Sequence, residues 1–174
     1  MNEKFGTLLV VDDEDMIREI LVEEFATVAE KVIQARNGKE ALTALEENPE
    51  IDGIFSDISM PEMDGLELLE WVSEHRPYVG MVMLSAYGDK KNTAKALKLG
   101  ALDFIDKPFQ IDKLVEIAKE CLEFGKINHQ AASEVERLVE EKVDLPEEKV
   151  GEWKRMKHKL LVLEYRKKRF KEQA

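Results

Sequence analysis

Cysteine is nearly missing from this 174-residue chain, where Cys121 stands alone. One thiol excludes both an intramolecular disulfide framework and a cysteine-built metal cluster, and Cys121 reads as a small apolar packing residue in a helix. No apolar run is long enough to span a bilayer, and the N-terminus has no charged-then-apolar leader. The expectation is a soluble, cytoplasmic protein without membrane contact. Histidine is also scarce: His75, His129 and His158 show no partner spacing and read as ordinary polar residues.

What is abundant is charge. Asp, Glu, Lys and Arg make up 36% of the chain, against about 25% in an average globular domain, and the excess reads as solvated helix faces. The net charge of −11 conceals an asymmetry. Residues 1–125 hold 13 Lys/Arg against 27 Asp/Glu, a net −14, whereas residues 126–174 hold 13 against 10, a net +3. Charge thus divides the chain into an acidic body and a basic tail. The length suits one domain of ordinary size with an appendage, expected as residues 1–124 and 125–174.

Within the body, short apolar runs alternate with longer segments of helical period. The runs are Thr7–Val11, Lys31–Ala35, Gly53–Ser56, Val79–Leu84 and Ala101–Ile105; the helical segments are Glu14–Val28, Gly38–Glu47, Gly65–Arg76, Asp89–Leu99 and Gln110–Phe124. Apolar strands without polar alternation belong in a parallel sheet covered on both faces, which predicts an α/β, doubly wound, five-stranded fold. Ligands of such sheets bind beyond the carboxyl ends of the strands.

That rim is where the acids fall. Asp12 and Asp13 follow the first strand and Asp57 the third, so three carboxylates converge and need a compensating charge. A hard divalent cation with oxygen ligands, Mg²⁺ or in its place Mn²⁺, meets that need. Lys107 after the fifth strand adds a second positive charge, and Ser85 after the fourth adds a hydroxyl. Carboxylate, cation, lysine and hydroxyl together can handle a phosphoryl group, with one carboxylate attacking to form an acyl phosphate. Asp57, alone on the central strand, is the candidate nucleophile. Taken singly, an Asp-Asp pair is most often a helix N-cap and a lone lysine a surface residue; their recurrence on one rim favours the site.

These residues resemble the receiver domain of bacterial response regulators. The resemblance runs through Val10-Val11-Asp12-Asp13-Glu14, Asp57-Ile58-Ser59-Met60-Pro61-Glu62-Met63-Asp64-Gly65, Leu84-Ser85-Ala86 and Asp106-Lys107-Pro108-Phe109, and covers about residues 5–124. It implies the flavodoxin-like strand order 2-1-3-4-5. It further implies Asp57 as phosphoacceptor, Asp12, Asp13, Asp57 and the Ser59 backbone carbonyl around the metal, and Ser85 and Lys107 on the phosphoryl oxygens. Phe104 stands at the switch aromatic, without the tyrosine hydroxyl of some relatives, and Lys107–Pro108 at a peptide bond the family holds cis. The implied donor is a sensor histidine kinase or a histidine phosphotransfer protein, and the implied output face is the fourth helix, fifth strand and fifth helix. A competing class is the Mg²⁺-dependent phosphohydrolase that also forms an aspartyl phosphate. Such enzymes place a second acid two residues beyond the nucleophile, where this chain has Ser59.

The tail reads as two helices broken near Pro146. In the second, Trp153, Met156, Leu160, Leu163 and Phe170 form an apolar seam at steps of three and four, with Lys167 at its missing position. Residues 152–171 also hold nine Lys/Arg against two acids. The seam predicts a homodimer or docking to a partner helix; the basic cluster offers nucleic-acid binding as the alternative, although no helix-turn-helix pattern accompanies it.

Overall fold

A computed structural model describes residues 4–86, 89–140 and 147–172, of which 130–140, 147–153 and 169–172 are described by backbone course. The elements run β1 (Thr7–Val11), α1 (Asp15–Phe25), β2 (Lys31–Ala35), α2 (Gly38–Glu47), β3 (Ile51–Asp57), α3 (Gly65–His75), β4 (Gly80–Ala86), α4 (Lys90–Leu99), β5 (Asp103–Lys107), α5 (Ile111–Glu140) and α6 (Glu147–Glu172). The strands form one parallel sheet in the order β2-β1-β3-β4-β5, the flavodoxin-like order expected.

Successive residues of a strand face opposite sides of the sheet, and both sides are packed. Leu8, Val10, Phe55, Val82 and Leu84 meet Leu21, Phe25, Leu114, Ile117 and Leu122 of α1 and α5. Leu9, Val11, Ile54, Met81 and Met83 meet Leu45, Leu68, Leu69, Val72 and Ala96 of α2, α3 and α4. Each buried Leu, Val or Ile contributes about 1.5–3 kcal/mol, so the two-sided core accounts for the absence of polar alternation. Side-chain caps fix the helix starts at the rim. Asn37 accepts from the Glu40 N–H, Asp64 and Glu67 form a reciprocal capping box, and Asp89 accepts from the Asn92 N–H.

β3 (Ile51–Asp57) and β4 (Gly80–Ala86) differ from their predicted runs by one or two residues at the ends, and three further placements differ from the sequence reading. First, α5 does not end near Phe124 but continues through Gly125. Its glycine answers to β3: in the β1–β3 register Thr7 pairs with Ile51 and Leu8 with Gly53, so Asp52 bulges. A Cβ at Gly125 would lie 2.0 Å from the Asp52 carbonyl oxygen, so only glycine admits this approach. The bulged Asp52 also accepts from the Thr7 N–H at 2.9 Å and meets His129 Nδ1 at 3.3 Å. Second, β5 begins two residues later, with Asp103 opposite Val82 and Lys107 opposite Ala86; Ala101 and Leu102 belong to the preceding corner. Third, His158 is fully buried, with Nδ1 2.9 Å from the Pro77 carbonyl and Nε2 2.9 Å from that of Gly100. The pattern gave it no partner because both partners are backbone oxygens far away in sequence.

Helix α6 lies chiefly along α3, where Arg155 meets Glu74 at 3.2 Å and His158 the Pro77 carbonyl. Val162 joins the α1–α5 side of the core, Tyr165 packs edge-on against Phe124 at 5.5 Å, and the Lys157 ammonium donates to the Tyr78 hydroxyl at 2.8 Å. Of the predicted seam, Met156, Leu160 and Leu163 are about half exposed and face away from these contacts. The side chains of Trp153 and Phe170 lie outside the described residues. Cys121 is buried on α5, and burial pushes its thiol up to about 12.

Candidate functional site

The carboxyl ends of β1, β3, β4 and β5 bring the predicted residues to one rim. Asp12 directly follows β1 and is fully buried, while the neighbouring Asp13 is exposed. Asp12 is held from two directions. Its Oδ1 accepts from the Glu14 N–H at 2.9 Å, and its backbone carbonyl accepts from the Arg18 guanidinium at 2.7 Å. Arg18, buried on α1 and also paired with Asp15, is a support that sequence reasoning missed; its position one turn into α1 was the available signal.

Asp57 is the last residue of β3, opposite Leu84 of β4, and only 7% exposed. Its Oδ2 accepts from the Ser59 N–H at 3.0 Å and its Oδ1 meets Lys107 Nζ at 3.0 Å. The same ammonium donates to Asp12 Oδ2 at 2.8 Å and reaches Glu14 Oε1 at 3.4 Å. Lys107 therefore bridges the acids of β1 and β3 from the end of β5. Gly65 makes room for the turn after Asp57, since a Cβ there would fall 2.1 Å from the Asp57 carbonyl oxygen.

The electrostatics follow from this bridge. Burial raises the Asp57 pKa, and the hydrogen bond from Lys107 opposes that rise without cancelling it. Burial alone would lower the Lys107 pKa, but its bonds to Asp12 and Asp57 outweigh that and hold it above the ordinary lysine value. One lysine still leaves the rim acidic, because Asp12, Glu14 and Asp57 all meet it and Asp13 adjoins them in the chain. These side chains offer oxygens, the donor type that Mg²⁺ takes. Among the described residues, no three acidic, His or Cys groups stand arranged about a common point; Lys107 occupies the space between Asp12 and Asp57.

Ser85 and Lys107 lie within the ends of β4 and β5 rather than beyond them. The Ser85 hydroxyl is buried and donates to the Ala86 carbonyl at 3.2 Å, with Thr93 Oγ1 of α4 at 3.4 Å. Phe104 is half-buried on β5, two residues after the α4–β5 corner. The Lys107–Pro108 peptide is cis.

A flavodoxin-like parallel sheet with this acid–lysine rim is the architecture of a receiver domain. Residues 8–119 match the family model of the response regulator receiver domain, and the chain belongs to that family of two-component signalling proteins. It is 33% identical over 133 residues to the regulatory protein AtoC of Escherichia coli K12, covering 72% of this chain and 28% of that protein. It is 34% identical over 118 residues to the DNA-binding transcriptional regulator NtrC of Salmonella typhimurium, covering 67% of this chain and 25% of that one. Among solved structures, a receiver domain protein from Clostridium thermocellum superposes with a TM-score of 0.66 at 26% identity, over 70% of this chain and 98% of that chain. NtrX from Brucella abortus superposes with a TM-score of 0.67 at 30% identity, over 76% of this chain and 30% of that chain. The chain thus spans less than a third of the length of these two curated relatives. No helix among the described residues is long and apolar enough to cross a membrane.

Proposed function

We propose that this receiver accepts a phosphoryl group on Asp57 from a phosphohistidine of a sensor histidine kinase or histidine phosphotransfer protein, in the cytoplasm. The observation that carries the reading is the buried Asp57 carboxylate at the end of the central strand, held between Lys107 Nζ and the Ser59 N–H. A carboxylate oxygen of Asp57 attacks phosphorus; the P–N bond breaks, its electron pair stays on the donor imidazole and the product is an acyl phosphate. Lys107 already spans the rim and follows the charge from the carboxylate to the phosphoryl oxygens. The carboxylates of Asp12, Asp13 and Asp57 and the carbonyl of Ser59 would hold Mg²⁺, with Mn²⁺ as a substitute. When bound, the ion neutralises charge on the transferring group. Ser85 supplies a hydroxyl to one phosphoryl oxygen, and the α4–β5–α5 face carrying Phe104 reports the change.

The test is incubation of the full chain with a small-molecule phosphodonor and Mg²⁺. Intact mass should show one phosphoryl group, and Asp57→Asn should remove it. Persistence of the label in Asp57→Asn would reassign the nucleophile, and donor turnover without a lasting label would favour the phosphohydrolase class.

For the tail, the exposed Met156, Leu160 and Leu163 support self-association over nucleic-acid binding. The full chain should have a dimer mass by light scattering and Leu160→Glu with Leu163→Glu a monomer mass. Equal masses would end that reading, and salt-sensitive retardation of DNA or RNA would replace it.

A further inference from the structure

At the α4–β5 corner three consecutive carbonyls face side chains of α6. Gly100 ends α4 in a left-handed conformation, φ +110°, and its carbonyl meets His158 Nε2 at 2.9 Å. Arg166 donates to the carbonyl of Ala101 and, at 3.3 Å, to that of Leu102. The fit is close, because a Cβ at Gly100 would lie 2.8 Å from the His158 ring. The other ring nitrogen lies 2.9 Å from the Pro77 carbonyl of the α3–β4 corner, and the neutral ring has one N–H for the two oxygens. Buried carbonyls cost about 1–3 kcal/mol when left without a donor, so the corner holds its shape best with α6 in place.

The other end of α4 touches the rim. Thr93, in its first turn, faces the Ser85 hydroxyl at 3.4 Å, and Ser85 directly follows Leu84, the β4 partner of Asp57. A continuous set of contacts therefore runs from Ser85 through Thr93 and the body of α4 to Gly100, and from Gly100 to His158. We propose that α6 is an intramolecular latch on the α4–β5 corner, seated while Ser85 is bonded to Thr93 and released when a phosphoryl group on Asp57 draws Ser85 toward it. The proposal rests on Asp57 being the phosphoacceptor. Ser85 leaves Thr93, α4 shifts, and the Gly100, Ala101 and Leu102 carbonyls move out of line with His158 and Arg166. Release of α6 uncovers the surface beneath Val162 and Tyr165 and frees a basic helix. Because coupling is reciprocal, a seated α6 favours the unphosphorylated state to the same extent.

Hydrogen exchange of the full chain, followed on peptides from 155–168 and 99–104, tests this alongside intact mass. With phosphodonor and Mg²⁺, both segments should lose protection by about tenfold or more, the scale of an ordinary coupling between sites. In Asp57→Asn protection should stay. Arg166→Ala should unprotect 155–168 without phosphodonor, and further loss on phosphorylation should be small; Thr93→Val should break the relay while leaving α6 seated and Asp57 labelled. A full mass shift with unchanged exchange in both segments would overturn the latch and leave the phosphoacceptor reading intact. Absence of any mass shift in the unaltered chain would overturn both.

Discussion

Replacing Gly125 by alanine sets two opposed effects against each other. Gly125 lies inside α5, where alanine is favoured over glycine by about 0.8–1 kcal/mol. Against this, the added Cβ would stand 2.0 Å from the Asp52 carbonyl oxygen and 2.6 Å from its carbon, where ordinary contact begins at 3.4 Å. The obstacle is backbone, not a flexible side chain. Its neighbour Gly53 is paired to Leu8 on one side and Gly80 on the other, so the strand has little room to retreat. The helix must back away instead, and Cys121, Leu122 and Phe124, all buried on that stretch, lose contact with the sheet. Overpacking of this kind costs about 1–3 kcal/mol and more where nothing yields, so the clash outweighs the propensity gain. A net loss of about 2 kcal/mol should lower Tm by roughly 4–8 °C for a chain of this size. Thermal and denaturant unfolding followed by circular dichroism measure it. An unchanged or higher midpoint would show that α5 does not sit this close to the bulge.

Two further predictions come from the charged groups. Lys107→Ala leaves the buried Asp12 and Asp57 carboxylates facing each other; because the rim is partly open to water, the loss should be about 2 kcal/mol rather than the 3–5 kcal/mol of a fully buried pair. Mg²⁺ should then raise the melting temperature of this variant more than that of the unaltered chain, and equal responses would contradict the shared-charge account. Burial holds the His158 pKa below its ordinary value, opposed by the Pro77 and Gly100 carbonyls, with Lys159 and Arg166 as the charged neighbours that disfavour protonation. A lowered folded pKa means that the stability from seating α6 is complete above about pH 6.5 and lost as pH falls through the folded value. Exchange in 155–168, corrected for intrinsic rate, should accelerate on acidification, and His158→Gln should flatten the response.

Much of the fold was legible because strands buried on both faces and amphipathic helices leave local signatures. Leu8-Leu9-Val10-Val11 needs no partner in sequence to be recognised, and the same holds for the acids at the strand ends. What escaped detection depended on distant backbone. Gly125 looks like a helix end, and only the Asp52 bulge gives it another purpose. His158 has the composition of a surface residue, and only the Pro77 and Gly100 carbonyls make it an interior one. In α6 the sequence presents two stripes of helical period, one through Met156, Leu160 and Leu163 and one through His158, Val162 and Tyr165. The seam was the more apolar of the two, yet the body received the other, because unsatisfied carbonyls at the corner select donors rather than methyl groups.

Carried through Gly125, α5 is a single rod of 30 residues, about 45 Å long at 1.5 Å per residue. Its first turn begins just past Pro108 at the rim, and its second half extends beyond the point where helix and sheet backbones touch. Taken as a pivot, that contact gives the helix a long arm. A tilt of about 5° around it would sweep the far end through roughly 2 Å, so a displacement too small to disturb the sheet becomes a movement large enough to shift a packed side chain. Beside the core side chains of its first half, the uninterrupted helix contributes reach.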